Sequence, residues 1–403
     1  MIKFKIRRNL IYPGQYLIWT VAQDVLNILI RHFLNFPDSL TYSPFMFFGE
    51  FIAGGIIHLY LRKIETKKSE NKDQYFMSIK LIKNEENDTD YFVPVDSKIK
   101  IIFLIFIASF LDWVLFFIDD GLIAKLKKLS ACISMRLYGF ATIFATFTYV
   151  YTLKLPIYKH HIFSLSIIGF CLIVIIVSEY FFQVMDTTIN YGTFTLALIF
   201  IIVSELFVSI QDSIEKHLFE YDYLNPFVVL MYEGFFGFAL TFLFFLLPDY
   251  FHDMKKMYKD NSTGKFTLFI FLLILYTALS GLKNIYRVVT IKIFSPMESI
   301  LSYYIINPLY FPYYCAVLGD FRNKYNKINV AYLTLNIIIA IVISFFGCVY
   351  NEFIILFCCG LERDTHFQIS ERANKSLLIE LNKIDEEGNI YPSDYDLIVS
   401  RND

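Results

Sequence analysis

The sequence predicts an all-α polytopic membrane protein, with ten transmembrane helices arranged as two inverted five-helix repeats. Three observations predict it. Apolar blocks about as long as a bilayer crossing follow one another along the chain; none shows the strict alternation of a barrel strand; and the two halves carry matching polar motifs.

Of the 403 residues, 56% are hydrophobic and 18% charged, against about 45–50% and roughly 25% in soluble domains. Mean hydropathy is +0.50. A hydrocarbon core of about 30 Å takes about 20 helical residues, and every backbone amide inside it needs a partner within its own segment. The blocks read as helices near 14–34, 43–62, 99–119, 129–152, 161–183, 193–215, 226–247, 266–289, 296–318 and 330–357. The first is interrupted by Asp24, Asn27, Arg31 and His32. Residues 14–183 form the first repeat and 193–357 the second. Residues 63–98, rich in Lys, Glu, Asn and Asp, are expected to be a mobile loop. Residues 1–13 and the polar tail 358–403 are expected in the cytosol. Lys and Arg near helix ends favour that side: Lys3, Lys5, Arg7, Arg8, Arg62, Lys63, Lys67, Lys68, Lys154, Lys159 and Arg363 would face the cytosol.

The net charge of −2 and the lack of a basic patch argue against nucleic acid. The six cysteines include no CxxC pair, so neither a metal nor another cofactor is expected. The basic N-terminus has no cleavage region after it, and the first block reads as a signal-anchor.

The repeat rests on paired motifs. Gln23-Asp24 lies in the first segment and Gln211-Asp212 in the sixth. Each is followed by a polar link and a proline opening the next helix, Ser43-Pro44-Phe45 and Asn225-Pro226-Phe227. A glutamate beside a glycine then follows, as Gly49-Glu50 and Glu233-Gly234. Two halves of five helices lie in opposite orientations because five is odd, and such proteins hold their site near the midplane.

A charge at the helix centre costs about 2.5–3.5 kcal/mol on insertion scales, so each buried charge needs a reason. Glu50, Asp112, Arg136, Glu205 and Glu233 lie deep in their segments, with Asp212 seven residues beyond Glu205 and Gln211 beside it. Lys283, Asn284 and Arg287 share the eighth segment, where both cations stand near a helix end. Asn307 interrupts the ninth beside Tyr303 and Tyr304, whose rings suit a planar ligand. These groups line a polar cavity, pair between helices, or snorkel to the headgroups. Lys216, His217 and His160-His161 read as interface markers.

Enzyme motifs fail. Ala278-Leu279-Ser280-Gly281 is a serine-protease-like fragment without its first glycine, and no GxxxxGK[ST] phosphate loop occurs. No catalytic role is expected.

Several runs together resemble the F-type branch of solute carrier family 35, in the drug/metabolite transporter superfamily. They are Met46 to Phe51, Ser134 to Gly139 with Ile143 to Thr146, Ser209 to Gln211, Tyr232 to Phe238 and Val349 to Glu352. The sequence departs from the family pattern at Leu137-Tyr138 and around Asp112. The resemblance implies a secondary transporter working by alternating access in an endomembrane such as Golgi, ER or a lysosome-like compartment. Its cargo would be a small polar, anionic, nucleotide-sugar-like metabolite. A homodimer is compatible with that reading. The rival expectation is a membrane scaffold or receptor that transports nothing.

Overall fold

The structure, a computed structural model, describes residues 2–4, 11–33, 43–68, 97–118, 137, 139–153, 157–182, 191–245, 263–293, 300 and 329–356, with scattered positions from 360 to 372. The described residues are almost wholly helical. Nine helices are present among them: α1 (Ile11–Phe33), α2 (Ser43–Lys68), α3 (Lys98–Phe116), α4 (Gly139–Leu153), α5 (Lys159–Glu179), α6 (Tyr191–Glu220), α7 (Pro226–Phe245), α8 (Thr263–Ile293) and α9 (Val330–Tyr350). Six of them, α2, α3, α5, α6, α8 and α9, contain a stretch long and apolar enough to cross a membrane. The expected ninth segment, 296–318, lies outside the described residues apart from Ile300, as does most of 63–98.

Helix starts follow local chemistry. The Ser97 hydroxyl accepts from Lys100 N at 3.4 Å, opening α3, and Asn329 Oδ1 accepts from Tyr332 N at 3.1 Å, opening α9. Asn225 Oδ1 takes Phe227 N at 3.0 Å, with Pro226 in the first helical position, where its missing N–H costs nothing.

Two boundaries need correction. α2 runs on to Lys68, because Lys63 to Lys68 continue the helix as polar residues past the apolar block. The last helix stops at Tyr350 rather than near 357. Glu352 takes φ 57, in the left-handed region, which breaks the helix. The chain then forms a strand, β2 (Ile354–Leu356), antiparallel to β1 (Ile2–Phe4), with Lys3 opposite Ile355. The start of the chain and the segment after the last helix are therefore neighbours.

α2 packs on α7 and α8, α1 on α8, α3 on α6 and α7, α4 on α6, and α5 on α9. One apolar core joins α4, α5, α6 and α9 through Ala141, Ile168, Leu172, Ile201 and Ile343. A second joins α3, α6, α7 and α8 through Ile105, Leu218, Leu230 and Val288. At two crossings glycine lets backbones touch. A Cβ on Gly234 of α7 would stand 2.3 Å from Phe51 N of α2, and one on Gly49 of α2 would stand 2.2 Å from Thr277 O of α8. These approaches bring the polar residues beside the glycines into one layer.

Candidate functional site

Where α2, α6, α7 and α8 meet, their polar residues form a connected ionic cluster around Arg287. Its Nη1 lies 2.8 Å from Glu215 Oε1 and 3.2 Å from Asp212 Oδ1, and its Nη2 lies 3.6 Å from Glu233 Oε2. Arg287 Nε donates to Asn284 Oδ1 at 3.2 Å, and Asn284 Nδ2 donates to Glu50 Oε1 at 2.5 Å. Gln211 Nε2 donates to Glu215 Oε1 at 3.2 Å.

Helical spacing explains the convergence. Lys283, Asn284 and Arg287 share one face of α8, and Gln211, Asp212 and Glu215 share one face of α6, because residues three and four apart are neighbours on a helix. α3 closes the layer: Ser109 Oγ donates to Glu233 O at 2.8 Å, and half-buried Asp112 on the next turn feels the charges of Arg287 and Lys283. Lys283 also acts on Glu50. Glu215 is 0% exposed, and Glu50 and Glu233 are 3% each. A guanidinium suits this position because its planar fork reaches several carboxylates at fixed angles.

Of the residues expected from sequence, the structure gathers Glu50, Asp112, Gln211, Glu233, Lys283 and Asn284 into this layer. Glu205 is buried on α6 but is not a partner of Arg287. It sits one turn before Ser209, whose Oγ reaches Ala141 O of α4 at 3.1 Å. Arg136, Tyr304 and Asn307 lie outside the described residues. Arg287, expected near a helix end, is instead the hub, because α8 continues to Ile293 and leaves it well inside. Glu215 escaped the sequence reading altogether. Its spacing from Gln211 and Asp212 was the available signal.

Lys216 is buried at the end of α6, where Nζ donates to Ile291 O at 3.0 Å and pairs with Glu220 at 2.9 Å. It satisfies carbonyls in the last turn of α8. Ser280, from the protease-like fragment, is buried with its Oγ 3.4 Å from Met46 O, so it takes part in the α2–α8 crossing.

A second polar group ties α5 to α9. Buried His160 Nε2 lies 3.4 Å from Glu352 Oε1, while at the other end of the pair the Tyr332 hydroxyl donates to Glu179. These contacts make α5 and α9 antiparallel. Tyr350, at the end of α9, also ties it to α4, where Tyr350 Oη and Thr146 Oγ1 share a hydrogen bond of 2.9 Å.

No family model matches the chain, and no curated protein matches it.

Proposed function

We propose that this protein is a secondary transporter of a small polar metabolite, working by alternating access between two inverted five-helix halves. The observation that carries the reading is the Arg287 cluster. Its carboxylates and cations come from α2 and α3 of one half and α6, α7 and α8 of the other. An ionic layer shared between halves is where rocking of one against the other changes the field at the site.

The packing supports the repeat. Exchanging each helix with the one five places along the ten expected segments turns the α1–α8 contact into α6–α3 and the α2–α8 contact into α7–α3, both observed, while the α4–α6 contact maps onto one between α1 and the ninth segment, 296–318, outside the described residues. The α2–α7 contact maps onto itself. Serine hydroxyls repeat the relation: Ser280 of α8 reaches Met46 O of α2, and Ser109 of α3 reaches Glu233 O of α7. The pairing of Ile2–Phe4 with Ile354–Leu356 fits an even number of crossings between them. The ten-helix reading meets that requirement, and basic residues near the two strands favour the cytosol for both.

A scaffold has no use for unbalanced charge in its core and is expected to pair it completely. Five carboxylates, Glu50, Asp112, Asp212, Glu215 and Glu233, here face two cations, Lys283 and Arg287, among the described residues. That imbalance favours the carrier. Arg287 is already engaged by acids, so an anionic, nucleotide-sugar-like cargo would need a further cation, Lys283 in this layer or Arg136 from the fourth segment. Uptake of a labelled metabolite panel into liposomes carrying the purified protein tests the proposal. A carrier accumulates at least one compound above protein-free liposomes, and no accumulation across the panel overturns the reading.

A further inference from the structure

Resting on the carrier reading, we propose that Glu233 and Glu50 are a proton-binding pair that couples transport to protons. The charge balance comes first. The five carboxylates and two cations of the layer leave a surplus of three negative charges among the described residues if all are ionised. In a buried setting such a surplus is neutralised by binding protons or a cation.

The distances say which groups take the protons. Arg287 holds Glu215 at 2.8 Å and Asp212 at 3.2 Å, both within hydrogen-bond reach of its Nη1. Glu233 stands at 3.6 Å, beyond hydrogen-bond reach, and its Oε1, like Glu215 Oε2, is buried with no hydrogen-bond partner among the described residues. Glu50 meets Arg287 only through the neutral amide of Asn284, at 2.5 Å. Of the carboxyls that contact Arg287 directly or through Asn284, these two are held least, while Asp112 makes no ion pair with either cation among the described residues. The charged groups facing them are Asp112 from α3, Asp212 and Glu215 from α6, and Lys283 and Arg287 from α8.

Position adds an independent argument. Glu50 precedes the α2–α7 crossing and Glu233 adjoins it from the other helix, each beside a glycine where backbones touch. A Cβ on Gly234 would also meet Glu50 C at 2.9 Å. Each half thus presents one weakly held glutamate to the same closed layer. A proton fits there without added volume, and converts a carboxylate to a neutral carboxyl that can donate as well as accept. With both protonated, Asp112, Asp212 and Glu215 face Lys283 and Arg287, close to balance. Release of the proton restores negative charge next to Arg287 and so couples the site's charge to its packing.

The test reads the proton directly. Infrared difference spectra of the purified full chain in detergent, titrated across pH, report the carbonyl stretch of a protonated carboxyl. The expected result is a buried-carboxyl band persisting at pH 7, partly lost in Glu233→Gln and in Glu50→Gln. Absence of the band in wild type overturns the proposal, as does an unchanged band in both variants. Should either variant unfold, Glu233→Asp and Glu50→Asp, which keep the carboxyl and shift its band, decide the assignment. In the liposome assay, a pH-sensitive dye must record proton movement with the transported metabolite, and movement without protons overturns the coupling. If no metabolite moves at all, the carrier reading fails, while the infrared band still judges proton binding by the pair.

Discussion

Arg287 of α8 reaches Glu215 of α6 at 2.8 Å, and that contact holds together the ionic layer in which four helices meet. Both side chains are enclosed, Glu215 at 0% exposure, so removing either leaves the other buried without its partner. Removing one partner of a buried pair costs about 3–5 kcal/mol, because the remaining charges stay desolvated and unpaired. Arg287→Met is therefore expected to lower the thermal midpoint of the purified protein markedly, and Glu215→Gln less, since Gln keeps an acceptor. Differential scanning fluorimetry of both variants checks the order.

Gly234 and Gly55 make a matched contrast. A Cβ on Gly234 meets backbone at 2.3 Å, while one on Gly55 meets nothing nearer than Met231 Sδ at 3.7 Å. Overpacking against backbone costs about 1–3 kcal/mol or more. Gly234→Ala is expected to reduce yield and thermal stability, and Gly55→Ala to leave both unchanged. Equal behaviour of the two would mean the α2–α7 crossing is looser than described.

The hydroxyl pair Tyr350 and Thr146 offers a finer measurement. Tyr350→Phe removes one neutral hydrogen bond, and about 0.5–1.5 kcal/mol of stability should go with it. Thr146→Val added to Tyr350→Phe should cost little more, since the bond is already gone. A double-mutant cycle in unfolding experiments reads that coupling.

Strand pairing predicts a chain-end crosslink. Lys3 and Ile355 are opposite in an antiparallel ladder, where Cα atoms lie about 4.5–5.5 Å apart, within the disulfide range of roughly 4.4–6.8 Å. Lys3→Cys with Ile355→Cys should oxidise to an intramolecular disulfide, detected by mass spectrometry of proteolytic fragments. Failure to crosslink would separate the two ends.

Much of this layer was legible in the sequence. Glu50, Glu233 and Asp112 stood out because a charge in an apolar run needs a partner, and Asn284 and Lys283 because they share a helical face. Arg287 was visible but misplaced, since an apolar count closes α8 early while the structure carries it to Ile293. Glu215 was hidden for a related reason: it stands beside Lys216 near the polar end of α6, where charges read as solvated. The glycine crossings could not be read at all, because the sequence does not tell which helix faces Gly49 or Gly234. The β1–β2 pair was equally out of reach. Two three-residue strands more than 300 residues apart leave no local pattern.

The most direct test of the central claim, that the Arg287 layer belongs to a transport site, compares wild type with Arg287→Lys in liposomes. Lysine keeps the charge and loses the planar fork. Both proteins are reconstituted at equal density and assayed for uptake of the metabolite panel. The account predicts uptake of at least one metabolite by wild type and a drop of about tenfold or more in Arg287→Lys, equivalent to roughly 1.4 kcal/mol on the barrier. Equal uptake by the two proteins, or none by wild type, would contradict it.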